Sequence, residues 1–188
     1  MTFPVVIDLP QHTATTRRVT RKWLVGGLFT AFAVGVAFVA VAATRLARPQ
    51  LAPAVVFNTI TGEHIHTADL RGKVVLVNFW ATSCVSCLAE MSMLVETHDR
   101  YAARGYETMA VAMSYDRPDY VLQFARARQL PFKVAIDLSE HVANAFDHTQ
   151  ETPTSFLLDR QGRIVKRFVG APAADTLRAA VEDALAHS

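Results

Sequence analysis

From Trp23 to Ala43 the chain carries no charged residue. At about 1.5 Å of rise per residue this run would span roughly 30 Å as a helix, the hydrocarbon thickness of a bilayer. Arg17, Arg18, Arg21 and Lys22 precede it, and only Arg45 and Arg48 come closely after it. Such asymmetry places the N-terminus in the cytoplasm and everything after Ala43 outside, with Trp23 suited to the interface. A cleaved signal peptide is the alternative, because Ala40-Val41-Ala42 resembles a small-residue cleavage site; both readings export the remainder of the chain. The expected organisation is a basic cytoplasmic tail over 1–22, a transmembrane anchor over 23–43, a linker over 44–50 and one domain over 51–188.

Past the linker the pattern changes period. Val74 to Trp80 is apolar and β-branched with one polar break at Asn78, as in a strand buried on both faces. A helix is predicted from about Cys84 to Tyr101, with Cys87, Leu88, Met91, Leu94 and Val95 along one face. Thr108 to Met113 reads as a second buried strand, and Pro118 to Arg128 as a helix with proline in its first turn. A short strand over Val134–Ile136 and a short helix over Glu140–Phe146 come next. Strands over Ser155–Leu158 and Ile164–Val169 flank the turn Asp159-Arg160-Gln161-Gly162, with glycine where positive φ is wanted. A helix over Ala173–Ala186 closes the chain. This alternation implies an α/β domain with helices on both faces of one sheet.

Composition changes the picture little. The chain has 188 residues, 51% hydrophobic and 19% charged, with a net charge of +2. That suits one domain plus a membrane segment. The charge is too small for nucleic acid to be argued as a partner, and no long basic stripe or aromatic-basic alternation supports one.

The two cysteines, Cys84 and Cys87, form a single C-x-x-C, too short a loop to staple a fold. Their place matters more. Cys84 follows the buried strand and opens a helix, where unpaired N–H groups and the macrodipole favour a thiolate. Cys87 lies one turn on, turned toward the domain body. Cys84 would attack a substrate disulfide, and Cys87 would then attack Cys84 to release the reduced substrate. Two inert core cysteines are the plain alternative. A zinc site would normally need four protein ligands. A copper-binding role remains a competing function, since one pair can hold Cu(I). His64 and His66, spaced to share one face of a strand, read as ordinary polar positions or as metal ligands.

Asn78-Phe79-Trp80-Ala81-Thr82-Ser83-Cys84-Val85-Ser86-Cys87-Leu88-Ala89-Glu90-Met91 resembles the active-site stretch of the TlpA/ResA-like thiol-disulfide oxidoreductases, a membrane-tethered branch of the thioredoxin superfamily. Gly72 to Trp80, Glu151 to Asp159 and Gly162 to Val165 resemble other segments of the same family, so the likeness runs from about Leu51 to the C-terminus. It implies a thioredoxin-like fold, a central mixed sheet flanked by helices, and no cofactor beyond the redox-active disulfide Cys84–Cys87. It implies that Pro153 follows a cis peptide and packs against the cysteines, leaving the Thr152 backbone free to pair with an extended substrate; an ordinary turn proline is the alternative. It places Glu90 as a proton shuttle for Cys87, against the alternative of a solvated first-turn glutamate. Implied substrates are exported proteins with oxidised cysteine pairs, such as apocytochrome c or copper-site proteins. Electrons would come from a membrane thiol carrier of the DsbD/CcdA kind.

The chain departs from that pattern in three places. Ser83 stands where relatives carry Trp, the dipeptide between the cysteines is Val85-Ser86, and Asn78 occupies the position of thioredoxin's buried aspartate. Asn78 cannot titrate, so proton transfer would fall to Glu90 or to water. A peroxidase of the related peroxiredoxin type would want threonine and proline where this chain has Ala81 and Val77.

Overall fold

A computed structural model describes residues 50–187. The tail, the anchor and nearly all of the linker expected over 1–50 lie outside these residues. Among the described residues no helix is long and apolar enough to cross a membrane.

The elements run β1 (Val56–Asn58), β2 (His64–His66), β3 (Val74–Trp80), α1 (Val85–Tyr101), β4 (Tyr106–Ala112), α2 (Pro118–Ala127), β5 (Lys133–Ile136), α3 (His141–Ala145), β6 (Thr154–Leu158), β7 (Ile164–Val169) and α4 (Ala174–His187). Five strands form one mixed sheet in the order β5-β4-β3-β6-β7, with β3, β4 and β5 parallel, β6 antiparallel to β3, and β7 antiparallel to β6. All seven residues of β3 are buried, because both faces of the strand are covered. Val74, Leu76 and Trp80 face a core built from α1, α2 and α4, through Met91, Leu94, Val121, Leu177 and Val181. Val75, Val77 and Phe79 face a second core, closed by the β1–β2 hairpin, α3 and Phe146. Helices thus cover both faces, and a hairpin completes one of them.

Element boundaries agree with the pattern of apolar positions to within a residue or two. The buried face of α1 is wider than the spacing suggested: Glu90, Thr97, His98 and Tyr101 are buried as well. Thr97 manages this by donating its hydroxyl to the Met93 carbonyl at 2.7 Å. Tyr101 does so by donating to Glu182 Oε1 at 2.7 Å.

The two ends of the sheet differ in character. Loops after β3, β4 and β5 and the loop before β6 gather at one end, where Cys84 lies. At the other end the β6–β7 turn is held by Asp159, whose carboxylate accepts from the Gln161 and Arg163 amides at 3.0 and 2.9 Å and from Arg163 Nε at 2.7 Å. Gly162 sits there at φ 75°, the left-handed region that glycine enters without steric cost. The chain joins the domain at this same far end. Ile164 N donates to Gln50 O at 2.7 Å, Ala52 N donates to Gly162 O at 2.8 Å, and Leu51 bridges Arg163 antiparallel.

Phe146 is the keystone of the second core, with its ring 5.3 Å from Phe156, 5.6 Å from Phe79 and 6.4 Å from Phe57. Truncating it removes buried area and leaves a cavity. Phe146→Ala is expected to cost about 3–5 kcal/mol, read as a lowered urea midpoint with an unchanged slope; Phe146→Leu should lose much less.

Candidate active site

The site is assembled at the C-terminal end of β3. Cys84 is the N-cap residue of α1, in extended conformation, and its Sγ accepts from the Cys87 amide at 3.2 Å. Ser86 Oγ lies 3.4 Å from the same sulfur. A helix start that already directs an amide and a hydroxyl at this sulfur would stabilise a thiolate there. Cys84 and Cys87 are joined as a disulfide. Cys84 is partly exposed, whereas Cys87 is fully buried among the α1 core residues. Cys84 is therefore the sulfur that an incoming group meets.

Opposite Cys84 stands the loop before β6. The Thr152–Pro153 peptide is cis and Pro153 is buried. Thr152 O lies 3.6 Å from Cys84 Sγ. In the disulfide there is no S–H to donate, so this contact becomes a hydrogen bond only once Cys84 is a thiol. Among the described residues, Thr152 makes no backbone–backbone hydrogen bond.

A buried polar cluster of Asn78, Glu90 and Ser155 lies beneath this corner. Asn78 interrupts the apolar run of β3 on the face that meets α1. Its Nδ2 donates to Glu90 Oε1 at 2.8 Å and to Ser155 Oγ on β6 at 2.9 Å. Glu90 is only 5% exposed, so it is not a solvated first-turn glutamate. Its Oε2 has no partner among the described residues. A charge held there would be desolvated with one oxygen unsatisfied, which favours the neutral acid. Burial raises the pKa of Glu90 from the ordinary 4.5 to about 7, and the Asn78 hydrogen bond opposes only part of that rise.

Asp116, buried in the loop after β4, ties a neighbouring loop to the approach to Cys84. Its carboxylate accepts from the Thr82 amide at 2.6 Å, from the Thr82 hydroxyl and from the Arg117 amide at 3.1 Å. The structure thus brings Cys84, Cys87 and Pro153 together and sets Glu90 one helical turn beyond Cys87. His64 and His66 are elsewhere, on β2, with His64 Nδ1 2.7 Å from Asn58 Oδ1. Sequence reasoning missed Ser155, Ser86 and Asp116. Asn78 carried a signal, as the lone polar residue in a buried strand; the other three are short polar side chains in stretches where such residues are common.

A disulfide capping a helix after the central strand, facing a cis-proline loop, defines a thiol-disulfide oxidoreductase of the thioredoxin class. Comparison with known proteins agrees. The Redoxin family model matches residues 48–185, and the chain belongs to that family. It is 34% identical over 120 residues to the thiol-disulfide oxidoreductase ResA of Bacillus thuringiensis, covering 63% of this chain and 68% of that protein. Against ResA of Geobacillus thermodenitrificans it is 32% identical over 139 residues, covering 74% and 79%. Among solved structures, a thiol:disulfide interchange protein of the thioredoxin family from Chlorobium tepidum superposes with a TM-score of 0.68 at 27% identity, covering 74% of this chain and 98% of that one. StoA from Bacillus subtilis gives 0.59 at 26%, covering 70% and 98%.

The buried carboxyl links stability to pH. Its folded pKa lies above its unfolded value, so the folded state holds a proton that the unfolded state has released between about pH 4.5 and 7. The contribution of Glu90 to stability is therefore greatest below pH 4.5, falls as pH rises toward 7 and is flat above, by about 3 kcal/mol at 1.36 kcal/mol per unit. Urea titrations at pH 4.5, 6 and 8 of the oxidised protein and of Glu90→Gln should show this fall as the difference between the two. Glu90→Gln, which keeps an acceptor for Asn78, should abolish the part due to Glu90.

Proposed function

We propose that the chain reduces disulfides of exported proteins, with Cys84 as nucleophile and Cys87 as the resolving cysteine. The observation that carries this reading is the asymmetry of the pair: Cys84 is partly exposed at a helix N-cap beside Thr152, and Cys87 is wholly buried behind it.

In the reduced protein, the Cys84 thiolate attacks one sulfur of the substrate disulfide. A bond forms between Cys84 Sγ and that sulfur, and the other substrate sulfur leaves as a thiolate and takes a proton from solvent. Cys87 then gives up its proton, and its thiolate attacks Cys84 Sγ. The Cys84–Cys87 bond forms, the mixed disulfide breaks, and the second substrate sulfur leaves as a thiolate and takes a proton from solvent, so the substrate departs with two thiols. Two electrons have passed from the cysteine pair to the substrate. In this reading Glu90 accepts the Cys87 proton. A carboxyl titrating near pH 7 takes up a proton more readily than an ordinary carboxylate and can still release it, which suits a group that must take it and return it. Pro153 shapes the loop that presents the Thr152 backbone to an extended substrate.

The setting comes from the N-terminal pattern. An anchor over 23–43 with the basic side inward holds the domain on the outer face of the cytoplasmic membrane. Substrates are exported proteins with cysteine pairs, of which apocytochrome c and copper-site proteins are examples. The oxidised pair is re-reduced by a membrane thiol carrier of the DsbD/CcdA kind.

Cys87→Ser should accumulate a mixed disulfide between Cys84 and substrate, visible by non-reducing electrophoresis, while Cys84→Ser should form none. Thiol trapping of the wild type across a glutathione or dithiothreitol series should show one reversible two-electron transition below about −200 mV. A transition near −120 mV would reverse the direction to oxidation, and no reversible transition would end the reading.

A further inference from the structure

Among the described residues, Tyr115 is 59% exposed in the loop after β4. The loop that carries it is tied on both sides of the residue. On one side, Ser114 Oγ donates to Glu140 Oε1 at 2.8 Å. On the other, Asp116 binds the Thr82 amide at 2.6 Å, two residues before Cys84. The loop's backbone is tied at Met113 N to Trp80 O and at Asp116 N to Met113 O, both 3.0 Å. Tyr115 Oη lies 3.4 Å from Thr152 Oγ1, and the carbonyl of that same Thr152 lies 3.6 Å from Cys84 Sγ. The tyrosine therefore reaches from one side of β3 to the cis-proline loop on the other. Ser83, immediately before the nucleophile, is small and exposed and builds no wall of its own.

We propose that Tyr115 is a substrate-docking residue, whose ring packs against an apolar side chain next to the reacting cysteine of an extended polypeptide laid along Thr152. The occupant is set by the place. Thr152 offers a backbone with no backbone partner among the described residues, and a chain pairing there would carry its neighbouring side chains past the Tyr115 ring. A tyrosine already held by its loop contributes broad apolar contact at small entropic cost. The consequence is specificity: the protein discriminates among substrate segments by what flanks their cysteine. This rests on Cys84 being the attacking sulfur.

The test uses the reduced full-length chain in detergent and three probes: hydroxyethyl disulfide, a disulfide-linked peptide with leucine beside each cysteine, and the same peptide with serine there. Second-order rates are read by stopped-flow fluorescence. The wild type should prefer the leucine peptide over the serine peptide by about tenfold, the usual scale for one apolar contact. Tyr115→Ser should bring that ratio near one, with its loss on the leucine peptide about tenfold greater than on hydroxyethyl disulfide; Tyr115→Phe should keep the preference. If Tyr115→Ser keeps the wild-type ratio, or lowers all three rates alike, the docking role is wrong while Cys84 chemistry stands. If Cys84→Ser reacts as fast as the wild type, the reading of Cys84 fails and the docking role fails with it.

Discussion

The burial of β3 on both faces governs the architecture and the site alike. A strand with no exposed residue needs cover above and below, and the two cores supply it, one from α1, α2 and α4 and one from the hairpin, α3 and Phe146. Because the strand is fixed on all sides, its C-terminal end is a fixed point. The helix that begins there inherits that position, and Cys84 caps it. A reactive sulfur at such a junction faces a helix N-terminus by construction. The one polar residue that β3 tolerates, Asn78, spends both its N–H groups joining α1 to β6 through Glu90 and Ser155. The same strand thus positions the sulfur and the buried acid.

In the proposed mechanism this arrangement trades stability for chemistry. A carboxyl with one oxygen unpartnered among the described residues is a poor way to fill a core, since a well-packed apolar side chain of that size would be cheaper to bury. Holding the acid near neutrality keeps it ready to take or return a proton. A protein selected for stability alone would have little reason to retain it.

Much of this was legible in the chain itself. The run Val74–Trp80, the helical spacing from Cys87 to Val95 and the turn at Asp159–Gly162 each have one period and one reading, and the structure agrees with them. The cysteine pair was legible because a C-x-x-C between a buried strand and a helix has few structural uses. The polar partners were not. Asp116, Ser155 and Tyr115 act through contacts across loops or strands far apart in sequence, and nothing local marks them out from other aspartates, serines and tyrosines. Glu90 was half legible: its place on the helix face was readable, but its burial depends on Asn78 and Ser155 drawing β3 and β6 against it.

The fastening of Gln50–Ala52 along Gly162–Ile164 has a mechanical meaning. Tension carried along the preceding residues enters the domain at the end of the sheet farthest from Cys84. It meets there the two backbone hydrogen bonds that join Gln50 and Ala52 to Ile164 and Gly162. The β6–β7 turn takes that load with its Asp159–Arg163 clasp. The loops that surround the disulfide lie at the opposite end of the sheet from this attachment, so a load entering at Gln50 reaches them only through the strands.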